Sequence, residues 1–186
     1  MSRPTNRGQS DFRLDNTADD NTIRQVKSEP RRITPAELQS PSGEFYCPIC
    51  RAVFYRKSWH NDNRKYTELS VTPDLARKCP ACHKEALDLP EGIVTLSALD
   101  ILPRERKEEV IALVRNVAER AHKRDPMDRI MKIMDRATEA QVYTTENQLA
   151  VAIGNEVQRA FGGDLNVDFG QRDNEIARVV WIAKQA

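Results

Sequence analysis

Four cysteines in two C-P-x-C pairs are the residues of this chain whose types and spacing point most directly to chemistry. Cys47 and Cys50 form the first pair, and Cys79 and Cys82 form the second. Together the pairs supply the tetrahedral set of four sulfur ligands that suits Zn²⁺. The intervening residues 51–78 make a long connection, but loop closure costs only ~0.6 kcal/mol per doubling of length. We therefore predict a structural Zn²⁺ site at these four residues.

Other uses of the cysteines remain open from the sequence alone. Four cysteines can also hold an iron–sulfur cluster, or serve as redox-active or metal-free thiols. A thioredoxin-like site needs a single C-x-x-C that opens a helix, whereas these pairs are duplicated and are expected among loop residues. His60 and His83 lie close enough in sequence to replace a thiolate or to donate to one, although solvated histidines are the simpler interpretation.

A basic and aromatic segment, residues 51–66, separates the two pairs and is expected to be a loop. It carries five basic residues against one acidic residue, a local charge of +4. Cations beside aromatic rings suit RNA, because the cations neutralise phosphates and the rings stack on bases. The alternative is that the aromatics form a small core and the cations its wet surface. The candidate RNA-binding residues are Arg51, Phe54, Tyr55, Arg56, Lys57, Trp59, Arg64 and Lys65.

The chain carries none of the common catalytic motifs for nucleotide, zinc-protease or serine-hydrolase chemistry. The Gly162-Gly163 pair is interpreted as a helix stop, and His122 as a residue stabilised at a helix C-terminus. Asp125 is interpreted as a helix cap, and Asp128 and Asp135 as solvent-facing partners of Arg129 and Lys132. A metal site closed by four cysteines offers no position for a reactive water. We therefore expect neither an enzyme nor a small-molecule substrate.

The overall composition excludes several classes of protein. There are 29 Lys and Arg against 28 Asp and Glu, which excludes a globally polycationic nucleic-acid binder and an acidic disordered protein. The mean hydropathy of −0.65 predicts that part of the chain does not fold. No apolar run approaches the ~18 residues that a membrane span needs, and the N-terminus does not resemble a secretory signal. We expect a cytoplasmic protein. In the reducing cytoplasm, paired cysteines more often bind metal than form disulfides.

Three segments differ in character. Residues 1–42 are polar with isolated apolar positions, and they are predicted to be a disordered tail. Residues 43–90 hold all four cysteines and few aliphatic residues, so they are predicted to be a zinc ribbon that depends on its metal. Residues 91–186 alternate helical and strand patterns and are predicted to form an α+β domain.

The predicted fold class is α+β, with a treble or ribbon-type zinc module followed by a small mixed α/β sandwich of order β-α-α-β-α-β-β. The first helix carries an apolar stripe of Val110, Val114, Val117 and Ala121. Asp125 and Pro126 are expected to open a second short helix, whose apolar residues are Met127, Ile130, Met131 and Met134. Gly154 interrupts a third helix and is expected to permit close packing on the sheet.

Several stretches resemble one protein family when they are taken together. They are the two C-P-x-C pairs, the Trp59 segment, L-P-E-G-I-V-T-L, V-R-N-V-A-E-R-A, D-P-M-D-R-I, and Thr144–Trp181. In this order they resemble small bacterial proteins related to the N-terminal part of the archaeal and eukaryotic Nmd-three family. The eukaryotic members of that family are the export adaptor of the large ribosomal subunit. The resemblance covers roughly residues 44–183, with fewer cysteine pairs than the larger members carry.

The resemblance implies a zinc-binding protein without catalytic activity, associated with ribosomal RNA or a ribosomal particle. It carries over a role for Cys47, Cys50, Cys79 and Cys82 as zinc ligands. The export signal and later domains of the larger members have no counterpart in this sequence, so export is not implied. Two alternatives remain: a protein–protein adaptor built on the zinc ribbon, and a metal- or redox-responsive regulator.

Overall fold

The chain forms two separate β-sheets with helices beside them. The computed structural model describes residues 43–170 and 176–184. The smaller sheet has three antiparallel strands and the larger sheet has five strands, so the α+β class predicted from the sequence is confirmed. The strands and α-helices are β1 (Phe45–Tyr46), β2 (Val53–Tyr55), β3 (Ser58–His60), α1 (Asn63–Leu69), α2 (Pro80–Leu87), β4 (Gly92–Ser97), α3 (Arg104–Arg124), β5 (Ile130–Asp135), β6 (Glu139–Thr144), α4 (Asn147–Phe161), β7 (Asp164–Phe169) and β8 (Ala177–Ile182).

The larger sheet carries the main hydrophobic core on one face. Its strand order is β5-β6-β4-β8-β7, with β4 and β8 parallel and the other neighbours antiparallel. Side chains alternate between the two faces of a strand, and Val94, Leu96 and Trp181 all belong to the buried set. Helix α4 packs on β4, β6, β7 and β8, and α3 packs on α4. The stripe predicted for the first helix, which includes Val110 and Val114, is buried in this core.

The prediction of a second short helix after Asp125 is wrong, because residues 130–135 form strand β5. Asp125 ends α3 instead of opening a helix, and its carboxylate accepts a hydrogen bond from the amide of Met127 at 2.8 Å. Strand β5 pairs with β6, with a register shift between Ile130 and Lys132. The extra residue of this bulge brings Ile130 and Ile133 onto the same core. Their spacing of three therefore imitates a helical stripe.

The sequence predicts a loop over residues 51–66. The structure instead has a hairpin followed by a helix in this segment. Strands β2 and β3 pair through a tight turn in which Tyr55 faces Ser58. The two turn residues, Arg56 and Lys57, have φ values of 50° and 69°. Two consecutive left-handed residues are what a type I′ hairpin turn requires, usually as Asn-Gly. Because two cationic residues occupy these positions, the sequence lacks the ordinary signal of a hairpin.

Two other predictions concern the N-terminal tail and the boundary between the two following segments. The predicted disordered tail, residues 1–42, lies outside the described residues. The smaller sheet lies within residues 45–60 and the larger sheet begins at Gly92, on either side of the predicted boundary. None of the helices among the described residues combines the length and the apolar character that crossing a membrane requires.

Gly154 allows α4 to approach the sheet, as its position in the sequence predicts. A Cβ atom at this residue would lie 2.4 Å from Cγ1 of the buried Val179 and 3.0 Å from Cδ1 of Leu165. We expect Gly154→Ala to lower the free energy of unfolding by about 1–3 kcal/mol, because overpacking outweighs the gain in helix propensity. The control is Asn155→Ala, an exposed position of the same helix, which should not destabilise the protein. Urea unfolding followed by tryptophan fluorescence measures both, and a stabilised Gly154→Ala protein would contradict the packing argument.

Candidate metal centre

The first C-P-x-C pair lies in the turn between β1 and β2. The amide of Cys47 donates to the carbonyl oxygen of Ala52 at 2.7 Å, and the amide of Arg51 donates to the carbonyl oxygen of Cys47 at 3.0 Å. Arg51 is in the left-handed region, with φ of 69°, at the point where the chain leaves this turn. The closed turn leaves Cys47 buried and Cys50 partly exposed.

The second pair opens a helix, which corrects the expectation that both pairs lie among loop residues. Cys79 is the N-cap of α2, and its Sγ accepts a hydrogen bond from the amide of Cys82 at 3.4 Å. Pro80 occupies the first turn of the helix, where its missing N–H costs nothing. The amide of Cys79 donates to Sγ of Cys47 at 3.5 Å, so the two pairs are in direct contact. Amide donors and a helix N-terminus both favour the thiolate form of cysteine.

The four predicted ligands come together at one point. Their sulfur atoms all lie within 4.8 Å of one another, and Sγ of Cys50 and Sγ of Cys79 are 3.5 Å apart. A tetrahedral ion with Zn–S bonds of ~2.3 Å would need sulfur atoms about 3.8 Å apart. The cluster is therefore close to the dimensions of a site for one metal ion, and it could hold such an ion after small side-chain adjustments.

The surroundings of the cluster are mostly closed. Trp59 and Met127 pack against the buried cysteines. Cys50 borders a shallow groove of about 400 Å³, which Arg129 also lines. The approach from solvent to the sulfur atoms is therefore on the Cys50 side.

Cys50 differs from Cys79 and Cys82 in how readily its thiol ionises. The pKa of Cys50 is lowered, chiefly because Cys79 donates a hydrogen bond to it and also because Arg129 lies nearby. That hydrogen bond and burial raise the pKa of Cys79, and burial raises the pKa of Cys82. Several thiolates at this distance repel one another in a buried place. A bound cation offsets that repulsion, which is why metal binding releases protons from such sites.

Neither histidine that the sequence left open belongs to the cluster. His60 lies in β3, where its Nε2 is 2.8 Å from Oγ of Ser58 and 3.2 Å from the carbonyl oxygen of Tyr55. His83 is exposed on α2. Within the described residues, the group of potential metal ligands consists of the four cysteines alone.

The cations predicted to bind RNA are not all equally available. Arg51, Arg56, Lys57 and Arg64 are exposed, and none of them takes part in an ion pair among the described residues. Lys65 differs, because its Nζ lies 2.7 Å from a carboxylate oxygen of Glu44 and 3.1 Å from one of Glu68. Lys65 is therefore less available to a phosphate than the other four cations.

Of the predicted base-stacking residues, Phe54 is buried, whereas Tyr55 and Trp59 are partly exposed. Phe54 is buried, and its ring packs 6.3 Å from that of Phe45 and 5.5 Å from that of Trp59, centroid to centroid. Tyr55 stacks on His60 with ring centroids 4.3 Å apart. Phe54 therefore belongs to the small core that the sequence offered as the alternative to base stacking, and its ring is not free to stack on a base.

Arg129 touches the cluster, although the sequence does not indicate it. The sequence predicts Arg129 on a solvent face beside Asp128, yet its Nη1 lies 3.4 Å from Sγ of Cys82, and its Nη2 lies 3.7 Å from Sγ of Cys79. Lys132, expected beside Asp135, pairs instead with Asp88 of the α2 C-cap at 2.6 Å. Arg129 lies 47 residues from Cys82 in the chain, so no local pattern connects the two.

Comparison of the chain with models of protein families, with curated proteins and with solved structures finds no match. The function must therefore be inferred from the chemistry of the site. Four thiolates around one metal ion would complete a tetrahedral shell.

A cysteine variant compared with a histidine variant tests the ligand set. We expect Cys82→Ser to weaken binding of the probe ion Zn²⁺ by at least about 100-fold, because a neutral hydroxyl replaces a thiolate. His83→Ala, one residue away, should leave the affinity unchanged, as should His60→Ala. Competition with a chromogenic zinc chelator measures all three. A loss of affinity in either histidine variant would show that the ligand set is wrong.

Proposed function

We propose that this protein binds one Zn²⁺ ion through Cys47, Cys50, Cys79 and Cys82, and that the ion has a structural role. The observation that carries the proposal is the convergence of four cysteine sulfur atoms within 4.8 Å. Two amides already donate to these sulfur atoms, from Cys79 and Cys82. Zinc prefers this all-sulfur tetrahedral set, and a four-coordinate site of this kind stabilises a fold without taking part in catalysis.

The close spacing of the sulfur atoms favours a single ion over an iron–sulfur cluster. In a cluster the cysteines bind different iron atoms, which separates their sulfur atoms more widely. In this protein, Cys50 and Cys79 come from different pairs and yet their sulfur atoms are 3.5 Å apart.

The zinc proposal is tested by metal analysis of the purified full-length protein. We expect one zinc per chain by elemental mass spectrometry, without the visible absorbance of iron–sulfur centres. Removal of the metal with a strong chelator should lower the free energy of unfolding by several kcal/mol, because metal binding by such modules is coupled to their folding. A chain that contains iron and sulfide, or no metal at all in zinc-supplemented medium, would contradict the proposal.

We propose further that the zinc module binds RNA through phosphate contacts. Arg56 and Lys57 occupy the tip of the hairpin, where both cations project into solvent without an ion-pair partner among the described residues. Arg51 lies over the ring of Tyr66 at 4.8 Å, an arrangement that holds the guanidinium in place while leaving its donors available. Exposed cations on a rigid support are what binding to a phosphate backbone requires.

The resemblance to the Nmd-three family supports ribosomal RNA as the target. It connects this chain to proteins of the large ribosomal subunit through the cysteine pairs and the segment Thr144–Trp181. The proposed role is that of a non-catalytic protein that associates with a ribosomal particle in the cytoplasm. A protein–protein adaptor built on the same module remains the alternative outcome.

Charge removal at the hairpin tip tests the RNA proposal. We expect the double variant Arg56→Ala, Lys57→Ala to bind a labelled ribosomal RNA fragment roughly 10- to 100-fold more weakly at moderate salt. The slope of log affinity against log salt should fall by about 1.5, because each phosphate contact contributes ~0.7–0.9. Fluorescence anisotropy at several KCl concentrations measures both quantities.

The control removes two exposed cations elsewhere, which pair with Glu108 and Glu109 of their own helix. Arg104→Ala, Arg106→Ala alters two exposed arginines in the first turn of α3, at the opposite end of that helix from His122, whose carbonyl oxygen contacts Asn61 of the zinc module. This control should keep the affinity and the salt slope of the unmodified protein. Equal losses in both double variants would mean that binding is non-specific, and no loss at the hairpin tip would favour the adaptor alternative.

A further inference from the structure

Arg129 is a charged side chain that is largely buried against the sulfur cluster. Its side chain is only 12% exposed, and its two Nη atoms lie 3.4 Å from Sγ of Cys82 and 3.7 Å from Sγ of Cys79. A guanidinium keeps its charge under all physiological conditions and presents several donors in one plane. Arg129 therefore brings a permanent positive charge and two donors to ligands that carry negative charge when a metal is bound.

The main chain of Arg129 is anchored to the larger sheet. Its amide donates to Oγ1 of Thr145 at 2.9 Å, and the amide of Thr145 donates to its carbonyl oxygen at 3.0 Å. Thr145 is fully buried and directly follows β6. The side chain is held as well, because Nε donates to the carbonyl oxygen of Pro126 at 2.8 Å. The guanidinium is thus positioned by contacts that do not involve the cysteines.

Competition for Arg129 from carboxylates is weak among the described residues. Its ion-pair partner is Glu85, at 3.4 Å and partly exposed. Four thiolates around a divalent cation carry a net charge of −2, and this charge lies in a poorly solvated place. A guanidinium that donates to two of the sulfur atoms offsets part of the charge and fixes the orientation of both ligands.

We propose that Arg129 is a positioning residue of the metal centre, which retains the ion by donating hydrogen bonds to Cys79 and Cys82. The inference rests on the proposed binding of Zn²⁺ by the four cysteines. It assigns to the larger sheet a part in holding the metal, although all four ligands come from residues that precede that sheet.

Lys84 provides the matched comparison. It also links α2 to the end of β6, since its Nζ lies 2.9 Å from the carbonyl oxygen of Thr145 and 2.7 Å from a carboxylate oxygen of Glu146. Lys84 makes no contact with sulfur among the hydrogen bonds of the described residues. A substitution at Lys84 therefore weakens the attachment of the zinc module without changing the surroundings of the ligands.

The experiment compares Arg129→Met, Arg129→Lys and Lys84→Met in the full-length, zinc-loaded protein. Zinc transfer to an excess of chromogenic chelator gives the release rate, and circular dichroism shows whether each variant is folded. We expect Arg129→Met to release zinc about 10- to 100-fold faster, a typical effect of removing an outer-shell partner. Arg129→Lys should fall between Arg129→Met and the unmodified protein, because an ammonium keeps the charge but not the paired donors. Lys84→Met should release zinc at the unmodified rate.

A spectroscopic measurement separates a contact with sulfur from a general loss of stability. In the Co²⁺-substituted protein, removal of a donor from a thiolate should shift the sulfur-to-cobalt charge-transfer band to longer wavelength. We expect that shift in Arg129→Met and not in Lys84→Met. If Arg129→Met does not fold, the shift in Arg129→Lys, smaller but in the same direction, decides the question.

Several results would overturn the proposal. They are an unchanged release rate and band in the Arg129 variants, or an equal acceleration of release in Lys84→Met. These results would leave the proposed zinc site intact. An unmodified protein that binds no zinc would instead overturn the proposed function, and this inference with it.

Discussion

The convergence of four cysteine sulfur atoms is the constraint on which the first part of the structure depends. Residues 43–90 bury few large aliphatic side chains, chiefly Val53 and Leu69, and their strands are only two or three residues long. Such a small core stabilises little on its own. The cysteines bring together the turn between β1 and β2 and the N-terminus of α2. A metal ion would hold this arrangement closed.

The attachment of this cluster to the larger sheet is polar. Lys84 and Arg129 both contact residues at the end of β6, and Lys132 of β5 pairs with Asp88 after α2. The pKa of Lys84 is raised, because the carboxylates of Glu146 and Glu91 outweigh the effect of burial. Partly buried charges at a contact are costly unless they are paired, and each of these cations has a carboxylate partner. At the same contact the Arg129 guanidinium lies against the sulfur atoms of Cys82 and Cys79.

The division between aromatic and cationic side chains determines what the hairpin of β2 and β3 presents to solvent. Phe54 and Trp59 are opposite each other on neighbouring strands, on one face of the small sheet, where their rings pack together. Arg56 and Lys57 occupy the turn that joins these strands and extend into solvent. Left-handed backbone at two non-glycine residues has a conformational cost, and such strain is commonly found at functional positions. The hairpin tip therefore presents positive charge to solvent, whereas the ring of Phe54 is buried.

The sequence by itself determined the α+β class, the four candidate ligands and the apolar stripe of α3, because these follow from residue types at short, regular spacing. The sequence wrongly predicted a helix where β5 lies. A bulge places Ile130 and Ile133 in one core, and their spacing of three resembles that of a helical stripe. The sequence also missed the hairpin tip, because cationic residues replace the usual Asn-Gly. Only the tertiary structure decided the position of Arg129. The contact of Arg129 with Cys82 joins residues that are 47 positions apart, and such a contact depends on how α2 packs against the segment before β5 rather than on any local pattern.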